Sequence, residues 1–239
     1  MQNPHTVRSF DDEIGGLRAK VGILGERSAE QLSGAIKALV DHNVDLARLT
    51  VLEDDTIDLL DTQIEKEAVT LIARRQPMAI DLREIVGAFR IAAELERIGD
   101  LAKNIAKRAE ALGPHPLPDH LAVRMDAMAT MASHQLSEVL QAYDHRDPEA
   151  ALEVRESDVK LDELHTEFFA DALRVIESDG SRAAQTAHLL FCAKNLERIG
   201  DHATNIAESV YLISTGIDPT EKRRKRDDSS TLMPRVHST

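Results

Sequence analysis

The chain has 239 residues, 42% of them hydrophobic and 3% aromatic, with 42 acidic against 29 Lys and Arg side chains and a net charge of −13. That negative field argues against a nucleic-acid binder, and a lone cysteine, Cys192, excludes an internal disulfide framework. Eleven Gly, eight Pro and no Trp favour long helices packed through small and branched aliphatic side chains over a β-sandwich.

Helical periodicity then runs along almost the whole chain. Ile14, Leu17, Val21, Leu24, Leu32, Ile36 and Leu39 predict a first helix from about Ser9 to Asp41, broken by His42 and Asn43. Asp45 is placed to cap a second helix ending near Arg75, and Pro77 marks the next corner. A third helix ends near Leu112. The run Gly113-Pro114-His115-Pro116-Leu117-Pro118 cannot continue it and reads as a domain boundary. A fourth helix follows from about Pro118 to His145. Asp147-Pro148 is an N-cap followed by proline at the first helical position, which starts a fifth. Asp179-Gly180-Ser181 ends that helix and caps a sixth. Beyond Gly216 the chain turns polar and charged and reads as a mobile tail. Helices of this length are about 45 Å long, and short connections make neighbours antiparallel. The expected fold is all-α: two tandem three-helix bundles, over residues 9–112 and 118–216, related by pseudo-twofold symmetry, with a tail at 217–239.

The membrane and redox signals are brief. No window approaches the ~18 apolar residues of a membrane span, and Met1 to Glu13 has no signal-type apolar stretch. A soluble, cytoplasmic protein is expected. Leu189, Leu190 and Phe191 beside Cys192 predict a buried, inert thiol. The basic run Lys222 to Arg226 reads as a solvated tail and not a nucleic-acid site.

The third and sixth helices carry nearly the same words. Leu95 to Ala106 reads LERIGDLAKNIA and Leu196 to Ala207 reads LERIGDHATNIA, identical at ten of twelve positions and offset by 101 residues. The chain is therefore a duplication. Each copy sets a Glu and an Asp four apart on one helical face: Glu96 with Asp100, and Glu197 with Asp201. The apolar line Ile85, Phe89, Ala92, Ala93 runs on into Glu96 and Asp100, and Leu190 and Ala193 lead into Glu197 and Asp201. Carboxylates on a core line need an arginine, a lysine or a cation beside them.

The preceding helix of each half adds a second pair, Asp54 with Asp58 and Asp158 with Asp162, followed three residues later by Asp61 and His165. Antiparallel packing would face these pairs toward the Glu/Asp pairs. Such hard oxygen donors suit Mg²⁺, Mn²⁺, Ca²⁺ or iron, and His165 shifts the balance toward Fe or Zn. The alternative is ordinary surface charge, with Arg97 pairing Asp100 and Lys103 beside it. Gly99 and Gly200 interrupt helix interiors at about 1 kcal/mol each, which predicts close helix approach beside the carboxylates. Asn104 and Asn205, two turns beyond the glutamates, are either supporting groups or polar filler.

The doubled LERIGD…NIA motif, with Ala73-Arg74-Arg75-Gln76-Pro77 and Asp81-Leu82-Arg83 at a corner and Ser9-Phe10-Asp11 in an opening helix, resembles the PhoU family. The resemblance covers roughly Ser9 to Gly216. It implies a non-catalytic negative regulator of phosphate signalling and uptake. Such a protein couples the ATPase of a phosphate ABC transporter to a phosphate-sensing histidine kinase, meets the membrane only through those partners, and often forms a homodimer. It also implies multinuclear metal sites on Glu96, Asp100, Glu197 and Asp201, with Asp54, Asp58, Asp158 and Asp162 as the matching ligands; the metal, whether Fe, Zn, Mg or Mn, is not specified. Asn195 standing where the first copy has Glu94, and His202 where it has Leu101, depart from symmetry. A metal-free helical adaptor is the first rival reading. A di-iron oxidoreductase is the second, although it usually needs E-x-x-H on facing helices, and this chain has one D-x-x-H, Asp162 and His165.

Overall fold

A computed structural model describes residues 4–219 and 225–232, and its order is α1 (Pro4–Val40), α2 (Val44–Leu52), α3 (Asp54–Arg75), α4 (Ile80–Leu112), α5 (Asp119–His145), α6 (Pro148–Ser178) and α7 (Ala183–Thr215). Short 3₁₀ turns lie at Gly180–Arg182 and Ser229–Thr231. No strand occurs among the described residues. Ile14, Leu17, Val21, Leu24, Leu32 and Leu39 of α1 are buried as their spacing requires.

Helix ends follow local chemistry. Asn43, and not Asp45, caps α2, its side-chain oxygen accepting the Leu46 N–H at 3.0 Å, while Asp45 sits in the first turn. The single helix expected up to Arg75 is interrupted at Glu53. There Gln31 of α1 reaches both sides of the break, Nε2 donating to the Thr50 carbonyl at 3.4 Å and to Asp54 Oδ1 at 3.2 Å. A carbonyl drawn to a neighbouring helix is one recognised way to bend a rod. Gln76 closes α3 in the left-handed region at φ 48°. Asp147 caps α6 as expected, accepting from the N–H groups of Glu149 and Ala150 at 3.0 and 3.1 Å ahead of Pro148. Asp179 accepts the Ser181 N–H at 3.0 Å, but one 3₁₀ turn intervenes before α7 begins at Ala183.

With α2 and α3 taken as one interrupted rod, each half is a three-helix bundle. The two halves share one continuous apolar core. The two motif helices, α4 and α7, pack directly on each other at the join, and α1 also meets α5. Glu94 of α4 there accepts hydrogen bonds from His202 Nδ1 at 2.7 Å and Asn205 Nδ2 at 2.9 Å. A carboxylate only accepts, so the imidazole proton is on Nδ1. Burial pushes the Glu94 carboxyl up, yet the His202 and Asn205 hydrogen bonds bring it below its ordinary value. The two departures from internal symmetry, Glu94 for Asn195 and His202 for Leu101, are thus partners in one contact.

Candidate metal centre

In the first half, α3 runs antiparallel beside α4 and brings its acidic face to the motif. Glu96 has Asp100, Asp61 and Asp58 as its like-charged neighbours, in falling order of influence. Burial raises the Glu96 carboxyl first and these neighbours add to it. Asp61 is raised by burial, then by Glu65 and Asp58, and its Oδ1 is buried without a hydrogen-bond partner. Asp58 is raised by partial burial and then by Asp54. Lys103 supplies the resident counter-charge, pairing with both Asp54 and Asp100. Arg97 approaches Glu94 at 3.9 Å, so the Arg97–Asp100 pair expected from spacing gives way to Lys103.

The second half has the same frame and different counter-charges. Asp158, Asp162, His165 and Glu197 are buried, and Asp201 is half-buried. Burial raises Glu197 before Lys194, 2.8 Å from its Oε2, pulls it back. Burial lowers His165, opposed by Asp227. The position of Lys103 is taken here by Thr204, fully buried and with no hydrogen bond to its hydroxyl. Residues 225–228 lie across this cluster instead: Lys225 is 3.1 Å from Asp201 and the Arg226 N–H donates to Asp162 at 2.8 Å. Lys222, Arg223 and Arg224 lie outside the described residues.

The glycines hold these helices close. A Cβ on Gly200 would fall 2.5 Å from Leu161 Cδ2, 2.8 Å from Asp158 Oδ1 and 2.9 Å from Gln135 Oε1. On Gly99 it would fall 2.9 Å from Gln31 Oε1 and 3.1 Å from Ile57 Cδ1. Gln31 and Gln135 are equivalent by an offset of 104, the offset that also relates Asp54 to Asp158, Asp58 to Asp162 and Asp61 to His165. Neither glutamine stands out in the sequence; extending the duplication beyond the motif helix is the signal that reveals them. Phe89, placed on the core stripe by spacing, is 38% exposed, and the buried line through α4 instead runs Ile85, Ala88, Ala92, Leu95 and Gly99. Glu96 and Asp100 therefore border the core line, while Glu197 is buried in it. Asn205 serves the join, Asn104 is exposed, and the Cys192 thiol is buried and pushed up to about 12 by that burial.

Among the described residues, no three His, Cys, Asp or Glu side chains stand close enough to hold a metal ion as placed. The donor chemistry nevertheless fits a hard cation. Asp58, Asp61 and Glu96, each with a raised carboxyl, crowd together beside Asp100, and a buried oxygen of Asp61 has no donor. Asp162, His165, Glu197 and Asp201 are their counterparts. Asp54 is committed to Gln31 and Lys103, one turn further along.

This crowding has a testable consequence. A carboxyl raised in the fold favours folding at low pH, and that contribution is lost as pH rises through the folded value. Combining Asp61→Asn with Glu96→Gln is therefore expected to stabilise the metal-free protein at pH 7 by about 0.5–1 kcal/mol. The gain should fade as the pH falls through the raised folded values and be gone below the ordinary values of 4.5 and 3.8. Urea denaturation at pH 7 and pH 4 measures it; destabilisation at pH 7 would contradict the repulsion.

The PhoU domain model matches residues 21–109 and 125–210, once on each half. The chain belongs to the PhoU family. It is 43% identical over 232 residues to the phosphate-specific transport system accessory protein PhoU homolog of Rhizobium meliloti (strain 1021), covering 97% of this chain and 98% of that one. It is 31% identical over 217 residues to the phosphate-specific transport system accessory protein PhoU of Escherichia coli (strain K12), covering 90% and 89%. The crystal structure of PhoU from Pseudomonas aeruginosa superposes with a TM-score of 0.83 at 32% identity, covering 87% of this chain and all of that one. Each matched segment contains one copy of the LERIGD motif and one of the two acidic clusters.

Proposed function

We propose that this chain is a non-catalytic accessory regulator of a phosphate transport system, whose two acidic clusters bind divalent or trivalent cations. The duplicated carboxylate frame on a shared helical core carries this reading, and the names of its relatives support the phosphate connection. Asp58, Asp61, Glu96 and Asp100 would hold one cation group, and Asp162, His165, Glu197 and Asp201 the other. A bound cation neutralises the crowded carboxylates and ties α3 to α4, or α6 to α7. The chain's own residues then present an acidic face in one shape. The transporter ATPase and the sensor histidine kinase dock there from the cytoplasmic side, and the transporter's state biases which is held. Holding the kinase silent in high phosphate is negative regulation, and a homodimer would present the face twice. No helix among the described residues is long and apolar enough to cross a membrane, which accords with a partner-mediated membrane role.

A metal-free adaptor is the second reading, favoured in the first half by Lys103, whose ammonium already sits between Asp54 and Asp100. One variant separates the two. Glu96, Asp100, Glu197 and Asp201 are all changed to Ala, Mn²⁺ binding is measured by calorimetry, and kinase output in high phosphate is followed by a reporter in cells lacking the native protein. Loss of both is expected. Unchanged Mn²⁺ binding with unchanged kinase control would remove the cation reading; lost binding with intact control would favour the adaptor.

A further inference from the structure

Residues 225–229 are seated on the second acidic cluster one after another. Lys225 Nζ lies 3.1 Å from Asp201 Oδ1. The Arg226 N–H donates to Asp162 Oδ2 at 2.8 Å and its guanidinium to Glu163 Oε1 at 2.6 Å. Asp227 Oδ1 is 3.2 Å from His165 Nδ1, and its Oδ2 accepts from Lys194 Nζ at 3.1 Å. That same ammonium is 2.8 Å from Glu197. The Asp228 N–H donates to Thr166 Oγ1 at 3.1 Å, and the Ser229 N–H folds back on Asp227 Oδ1 at 3.0 Å to start the 3₁₀ turn. Asp162, His165, Glu197 and Asp201 are thus all engaged, three directly and Glu197 through Lys194.

The first cluster has its counter-charge built into the helix, as Lys103, three residues from Asp100. The second has Thr204 at that place and draws its extra ammonium from Lys225, 24 residues beyond Asp201. A helix side chain cannot leave; a segment beyond the last helix can. Its outer ion pairs are exposed, with Lys225 at 57% and Arg226 at 64%, so each is weak and screened by salt.

We propose that residues 225–231 form a detachable strap that competes with divalent cations for the second acidic cluster, making the two clusters functionally unequal. This rests on the cation-binding reading above. A cation takes Asp162, His165, Glu197 and Asp201 only when the strap lifts, so the strap lowers apparent affinity by the fraction of time it is seated. Lifting also frees Glu163 and Thr166 on α6, which widens the acidic face.

The test uses the full chain with Glu96→Ala and Asp100→Ala, so that only the second cluster reports. Mn²⁺ affinity, read from the electron paramagnetic resonance of the free ion, is compared with the same chain also carrying Lys225→Ala, Arg226→Ala and Asp227→Ala. Binding about tenfold tighter is expected for the strap variant, the factor for a strap seated about nine-tenths of the time. Hydrogen exchange in the otherwise unchanged chain supplies the second readout: amides of 226, 228 and 229 should exchange faster when Mn²⁺ is added. Equal affinity overturns the strap while leaving the cation reading standing. Weaker binding overturns it too, because Asp227 would then be donating to the cation and not competing with it. If neither chain binds Mn²⁺, and the chain with both clusters intact also fails, the cation reading falls and the competition with it.

Discussion

Phe168→Ala is expected to lower stability by about 4 kcal/mol, since buried Phe→Ala changes run about 3–5 kcal/mol. Phe168 is fully buried on α6 and is the bulkiest of the fully buried side chains. The chain has five Phe, two Tyr and no Trp, and its core is mostly Ala, Leu, Ile and Val. A core built mostly of small aliphatic side chains has little that can swing in to fill a ring-sized hole. α6 cannot shift bodily either, because it is packed between α5 and α7. For a protein of this size the loss corresponds to a fall of roughly 10 °C in Tm. Urea melts of Phe168→Ala and Phe168→Leu check it: leucine should recover most of the loss, and an alanine effect below about 1.5 kcal/mol would show that the site collapses.

Gly200→Val is expected to cost about 3 kcal/mol, at the upper end of overpacking penalties. Any side chain at 200 starts with a Cβ 2.5 Å from Leu161, 2.8 Å from Asp158 and 2.9 Å from Gln135. All three are buried, so none can turn into solvent. The removal of a helical glycine returns up to about 1 kcal/mol, too little to offset the overlap, and a β-branched residue recovers less of it. The relief available is to push α7 off α6, which separates Glu197 and Asp201 from Asp162 and His165. Second-cluster Mn²⁺ binding should therefore weaken along with stability. Gly99→Val should be milder, since its nearest atoms stand at 2.9 and 3.1 Å. Thermal melts of the two variants rank them; equal losses would show that the glycines do not set the helix spacing.

How much of this could be read before the fold was known depended on the range of the interaction. The apolar period of α1, the Asp147-Pro148 start of α6 and the proline-rich corner after Leu112 are local chemistry, and they emerge from spacing alone. The break at Glu53 does not, because Gln31, 22 residues upstream, takes part in it. Asp45 lost the cap to Asn43 within a two-residue margin, where several side chains of similar competence compete. Phe89 fell outside the core because α4 has neighbours on more than one side, so a single angular line does not describe its buried surface.

The duplication, the all-α class and the carboxylate pairs follow from the one-dimensional order of residues, since helical period and repetition need no partner. The identity of each counter-charge does not. Lys103 reaches Asp54 only when α3 lies antiparallel on α4, and Lys225 reaches Asp201 only when residues 225–228 lie against α6 and α7. Glu94 and His202 look like two unrelated lapses of symmetry until α4 is packed on α7, where they become one hydrogen bond at 2.7 Å. Burial and charge pairing are properties of neighbours in space, and those neighbours are set by how the helices pack.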